Sequence, residues 1–215
     1  VTRARDTRTR ILEVAEQEFA TEGFAGAHLQ RIAEQVGVRK TALYYYFDSK
    51  AALYTTVLEA MLEQLERTLT PVVEAPEPAE RRLERLVASF NDLLATHPTY
   101  ARILFRVFVD QPNVDASRVL PIVERVIGRL FGFYREGIDA GAFRRLSSRH
   151  FFQHLLGITV FHYAAPFFST RVLGVDDIFA SDAVTWRREE VTALLRDGVL
   201  RRAGKPDPSR RKPER

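Results

Sequence analysis

Between Arg39 and Lys50 the chain reads RKTALYYYFDSK, which crowds two cations, a threonine and three phenols into eight residues and ends on a third cation. Charged donors and phenol hydroxyls with no nucleophile-and-base pair suit the holding of a polyanion, not the breaking of a bond. At helical spacing Leu43 and Phe47 point to one side, while Thr41 and Tyr45 project from the other and Tyr44 sits on a flank. A face that is small at Thr41 and Ala42 and aromatic at Tyr44, Tyr45 and Tyr46 fits a DNA major groove and reaches its phosphate walls. Lys40 and Thr41 are the candidates for base edges, lysine with guanine O6/N7 and threonine with a thymine methyl or a polar edge. Tyr44, Tyr45, Tyr46, Lys50 and, at the turn, Arg39 are phosphate candidates, and Tyr46 suits a core aromatic with its hydroxyl at the rim equally well.

Such a face needs a scaffold, and the preceding residues supply one. Leu29, Ile32, Ala33 and Val36 fall at i, i+3, i+4 and i+7, one side of a helix. Gly37 follows as the residue that a left-handed exit favours, and Val38 plugs the corner before the second helix. The pattern is helix, turn, helix. Gln30 and Arg31 lie on the exposed side of the first of these helices as further DNA contacts, and Ser49 is placed to cap the helix that follows.

Ile32-Ala33, Gly37-Val38, Leu43-Tyr44, Phe47, Ser49-Lys50 and Leu53 resemble, in order and spacing, the recognition signature of the tetracycline-repressor (TetR) family of bacterial regulators. The resemblance covers about residues 7 to 66 directly and the remainder by architecture. It implies a homodimer on double-stranded DNA at a palindromic operator, with the last two long helices forming a four-helix bundle with their copies. It also implies a small-molecule effector in the body. The chain departs from the family pattern at Ala27, where a threonine or serine usually caps the second helix, so that His28 or a backbone group must compensate.

The chain has 215 residues and a formal net charge of +4. Residues 201–215 hold seven Lys or Arg against two acids, which leaves −1 for everything before them. The basic character therefore belongs to the tail and says nothing about the candidate DNA face. With no cysteine, disulfides, thiol sensing and cysteine metal sites are excluded. No apolar run reaches the ~18 residues of a membrane span, and the arginine-rich start lacks a signal-peptide core, so a cytoplasmic protein with no membrane partner is expected.

In order, a basic arm over 1–7 leads into a helix from about Arg8, with Ile11, Leu12, Ala15 and Phe19 in register and Gly23 at its end. From Ser49, the positions Tyr54, Val57, Leu58, Met61, Leu62, Leu65 and Leu69 predict one helix to about 69, stopped by the prolines of PVVEAPEP. Helices are expected over 80–96, over 99–110 (apolar nearly all round and so buried), over 118–140, over 147–164 and over 182–202, with a loop around Pro166 and Gly174. The fold class is all-α: an N-terminal helix-turn-helix head over 1–48, a helical effector-binding and dimerisation body over 49–203, and a basic tail over 204–215.

The 147–164 segment is apolar on more than one face and calls for a partner. The candidate dimer residues are His150, His154, Ile158, Phe161, Trp186, Val191, Leu194 and Leu195. Phe90, Phe105, Phe108, Phe131, Tyr134, His154, Phe161 and His162 are the candidates for an effector pocket, and the fifteen phenylalanines favour an apolar or aromatic ligand. His150 and His154 form an i, i+4 pair without the intervening glutamate of a zinc hydrolase, and no P-loop, dinucleotide fingerprint or nucleophile elbow occurs. No metal, cofactor or catalytic residue is expected, and the chain reads as a regulator, not an enzyme. The alternative is a helix-turn-helix protein without an effector, controlled by abundance or a protein partner.

Overall fold

Helical periodicity carries through to ten α-helices among the described residues, with a lone antiparallel bridge between Phe143 and Leu200. The computed structural model describes residues 2–110 and 114–200, with side chains from residue 6 onward. The expected basic tail over 204–215 lies outside the described residues, as do Val1 and the side chains of Arg3 and Arg5. The helices are α1 (Thr2–Gly26), α2 (Leu29–Val36), α3 (Lys40–Tyr46), α4 (Lys50–Val73), α5 (Ala79–Thr96), α6 (Pro98–Asp110), α7 (Ala116–Asp139), α8 (Ser148–Ala164), α9 (Pro166–Leu173) and α10 (Ser181–Val199).

Three boundaries differ from the sequence reading, each for a local reason. Helix α1 begins at Thr2, within the expected arm, because arginine is a good helix former and nothing between residues 2 and 10 breaks a helix. Helix α4 runs through Pro71 to Val73, since a proline in the last turn sacrifices one hydrogen bond without needing the helix to continue far. The segment read as a loop around Pro166 is α9, with that proline in its first turn and Gly174 as its left-handed cap at φ 69°.

By compactness the chain divides into two units, Val1–Gln64 with His97–Glu124, and Leu65–Thr96 with Arg125–Arg215. In the first unit, Ile11, Ala15 and Phe19 form the buried stripe of α1. The Phe19 ring meets Tyr54 of α4 edge-on at 4.7 Å, and Phe24 folds back onto the same tyrosine at 5.3 Å. Helix α6 packs along α1. Arg106 of α6 gives Nε to the Ala20 carbonyl at 3.2 Å and Nη2 to the Thr21 carbonyl, so it satisfies acceptors that the end of α1 would otherwise leave bare. The expectation that the 99–110 helix is buried all round fails. Phe105, Phe108 and Val109 are exposed, and Thr99, Tyr100, Ala101, Ile103 and Leu104 make its buried side. Apolar composition gave no information about which sides have neighbours.

In the second unit α5 is central, with Leu83, Leu86, Val87, Phe90 and Leu94 buried and both α8 and α10 packed on it. Its buried Asn91 accepts the Tyr163 hydroxyl at 3.0 Å, and burial pushes that phenol up to about 12. Arg82, also buried, donates to the Val73 carbonyl at 2.8 Å and pairs with Glu136, so one guanidinium caps α4 and ties α5 to α7. Tyr134 of α7 stacks on Phe151 of α8 at 4.6 Å and donates to the Arg144 carbonyl. Gly137 lies so close to the Phe143 ring that any Cβ would overlap it.

Glu66 of α4 accepts from Arg125 and Arg129 of α7, and the Arg125 hydrogen bond leads the effects that hold its carboxyl at about 2. A carboxyl held down in the folded state stabilises the fold fully above its ordinary pKa of 4.5, and that contribution fades as pH falls toward 2. Glu66→Gln should therefore flatten the acid limb of a stability-versus-pH curve over that window; an unchanged limb would show that the pair contributes nothing. Gly137→Ala should lower unfolding stability by about 1–3 kcal/mol, the usual cost of overpacking, in denaturant titration.

Candidate nucleic-acid interface

Helix α3 has only seven residues, so its pose depends on packing. Leu43 and Phe47 are 1% and 6% exposed and anchor it, while Tyr45 is 84% and Tyr44 48% exposed on the outside. Arg39, Lys40 and Thr41 are exposed beside them, and half-buried Tyr46 leans on Tyr45 edge-on at 5.2 Å. Six of the nine expected DNA-facing residues thus line one short element and its N-cap, with no carboxylate among them.

The corner before α3 is set by Gly37 at φ 79°, whose amide and that of Val38 return to α2 carbonyls, Val38 N–H reaching Ala33 at 2.9 Å. Ile32, Ala33 and Val36 form the buried side of α2. At the other end of α2, where Ala27 offers no cap, the His28 side chain makes no capping bond either. Its backbone N–H donates instead to Glu18 Oε1 at 3.1 Å. Glu18 is 6% exposed, and its carboxylate also faces Arg31 Nη1 at 3.4 Å. This buried acid, which the sequence reading missed, joins α1 to the start of α2.

Two expected DNA contacts are engaged inside the head. Arg31 pairs with Glu18 and, at 3.1 Å, with Glu22, although it remains exposed at the surface. Lys50 Nζ donates to the Ala25 carbonyl at 3.0 Å and sits 5.1 Å from the Phe24 ring centre. Burial lowers the Lys50 pKa, and Glu18 opposes that shift. The ammonium holds the start of α4 to the α1–α2 junction with one of its three N–H groups. Gln30 is exposed and donates to Glu34 at 2.8 Å. Ser49 accepts from the Ala52 amide at 3.0 Å and so caps the start of α4.

In the second unit, the residues expected to face a partner copy separate into two groups. His150, His154, Phe161, Trp186 and Leu194 are exposed and Ile158 is half-buried. Val191 and Leu195 are 2% and 6% exposed, on the buried side of α10, which packs on α5, so they serve the unit's own core. Helix α9 adds exposed Phe167, Phe168 and Val172, an apolar surface that the loop reading missed.

Of the expected effector residues, two belong to the first unit and six to the second. Phe105 and Phe108 are exposed on α6 of the first unit. His154 and Phe161 are exposed on α8, Phe131 is half-buried against Phe152, and Phe90, Tyr134 and His162 are buried. Burial first and Arg187 second bring the His162 pKa down to about 4. The His150 and His154 rings lie 6.5 Å apart, and no group of three or more metal-ligating residues occurs among the described residues. No described helix is long and apolar enough to cross a membrane.

Residues 11–57 match the family model described as bacterial regulatory proteins, tetR family. An HTH-type transcriptional repressor of Streptomyces coelicolor is 37% identical over 99 residues, 46% of this chain and 48% of that protein. The HTH-type transcriptional repressor NicS of Pseudomonas putida is 36% identical over 138 residues, 63% of each chain. The chain thus spans between about half and under two thirds of the length of these curated relatives. Among solved structures, a ketosteroid transcriptional regulator of Mycobacterium tuberculosis superposes with a TM-score of 0.71 over 91% of this chain and 95% of its own at 18% identity. A second, the AibR protein in complex with isovaleryl coenzyme A and operator DNA, superposes with a TM-score of 0.70 over 87% of this chain and 97% of its own at 14% identity. At those identities the structures share a fold with this chain.

Tyr45 and Lys50 make opposite predictions for stability. Lys50→Ala should destabilise the protein by about 1–2 kcal/mol in urea unfolding through its lost hydrogen bond and ring contact, whereas Tyr45→Ala should stay within roughly 0.5 kcal/mol of the parent. Equal effects would show that Lys50 is as free as the exposed tyrosine.

Proposed function

From the match of residues 11–57 to the tetR family model we propose that the chain is a homodimeric repressor of that family, which binds a palindromic operator and is released by a small apolar or aromatic effector. The observation that carries the DNA-binding part is the division of α3, with Leu43 and Phe47 buried behind it and Lys40, Thr41, Tyr44 and Tyr45 presented in front. Lys40 and Thr41 read base edges. Tyr44, Tyr45, Tyr46 and Arg39 hold phosphates, with Gln30, Arg31 and Lys50 at the margin.

In this reading residues 1–48 are the DNA-binding head, 49–203 the effector-binding and dimerisation body, and 204–215 a basic tail, all acting in the cytoplasm. Exposed Phe161, Trp186 and Leu194, together with Phe167, Phe168 and Val172 of α9, support burial against a second copy. A dimer sets two α3 helices about 34–36 Å apart, one turn of DNA. Helix α4 contributes residues to both compact units, so an effector bound in the body acts on the head through that rod, for which a coupling of about 1–3 kcal/mol suffices. The AibR complex supports the pairing of a ligand with operator DNA on this fold.

Selection from random duplexes with the full-length protein should return a palindrome with half-sites about 10 base pairs apart, centre to centre. On that operator Lys40→Ala should relax preference at one symmetric position, losing roughly 1–3 kcal/mol there, while other sequences bind as before. A uniform loss across all sequences reassigns Lys40 to phosphate, and a selection that returns no preferred sequence overturns the proposal.

A further inference from the structure

Adjacent arginines on α10 have different surroundings. Arg188 meets Asp92 at 3.0 Å. Arg187 meets no carboxylate among the described residues: its Nη2 donates to the Ile158 carbonyl at 2.7 Å, and its Nε is buried without an acceptor. Burial lowers its pKa, and the electrostatic influence set against that shift is the Tyr163 phenol, not an acid. Within one turn of α8 from that carbonyl, Thr159 and His162 are 1% and 5% exposed, and Thr159 Oγ1 and His162 Nε2 also lack partners. A helical threonine commonly returns its hydroxyl to the carbonyl four residues back, and Thr159 does not. With His162 held neutral, Arg187 carries the charge of this niche.

Arg187 is half-buried and keeps part of its hydration, but its Nε, like Thr159 Oγ1 and His162 Nε2, is shielded from water without a hydrogen-bond partner, and each such atom costs free energy unless a ligand pairs it. We propose that Arg187, His162 and Thr159 bind the carboxylate of the effector, which makes the effector an organic acid with an apolar body. The proposal rests on the effector-release reading and narrows it to a chemical class. Arg187 Nε–H, the Thr159 hydroxyl and His162 as its Nε2–H tautomer supply three donors to the two oxygens, and one positive charge meets one negative charge. A phosphate dianion would leave a charge unmatched. The buried Tyr163 ring, with Phe179 at 5.7 Å from it, supplies apolar neighbours for the rest of the molecule.

The test uses full-length protein with octanoate and phenylacetate as probes, each beside its primary amide. Binding is read by calorimetry and by the ¹⁵N signals of the His162 ring, and release by anisotropy of the selected operator. An acid should bind at least roughly tenfold tighter than its amide, move the His162 Nε2 signal, and lose about that factor in Arg187→Met while the amide does not change. Thr159→Val, which replaces an unpaired hydroxyl with a methyl, should fold as well as the parent and still weaken the acid. This variant keeps the test decisive if the arginine variant does not fold. Acids that bind no better than amides, or that bind equally well to the variants, overturn the proposal; so does a high-resolution structure with acid present that shows only ordered water against the three atoms. Operator release by neutral aromatic compounds but not by acids overturns the carboxylate and spares the release reading. Tight acid binding that moves His162 without loosening the operator supports the carboxylate site and overturns the release reading.

Discussion

A seven-residue helix does not hold its own shape in water, and that constraint governs the head of this protein. Everything α3 presents outward is positioned by what Leu43 and Phe47 bury inward and by the left-handed corner at Gly37. The same dependence continues one element back. Helix α2 starts without a side-chain cap and relies on the Glu18 carboxylate of α1, itself 6% exposed, to receive the His28 amide. A buried acid in this place is stable because the amide and Arg31 both face it.

The second unit solves a similar problem with one neutral pair and one charged one. Asn91 and Tyr163 satisfy each other in the core, and Arg82 spreads its guanidinium over a helix-end carbonyl and a carboxylate, so burial leaves these groups paired with the exception of Arg82 Nε. Against that background the unpaired atoms of Thr159, His162 and Arg187 stand apart.

Much of the fold was legible in the sequence because helix periodicity is a direct signal: the α2 stripe, the Gly37 corner and the inward pair of α3 all lie where spacing puts them. Groups that act across the chain were not legible. Glu18 and Arg106 look like ordinary polar residues on amphipathic helices, and their partners are ten residues away for one and more than eighty for the other. Composition misled for α6, whose apolar residues outnumber the sides that have neighbours. Proline misled twice, at Pro71 and Pro166, because its effect depends on whether it falls in the last turn, the first turn or the middle of a helix.

The ring of Tyr45 is 84% exposed. Most of the time such a side chain faces a crowded solution, where a bare phenyl group would tend to stick to whatever hydrophobic surface drifts past. A hydroxylated ring stays wetted, so the polar tip keeps an otherwise apolar side chain compatible with water. A phenylalanine there would lose that wetting.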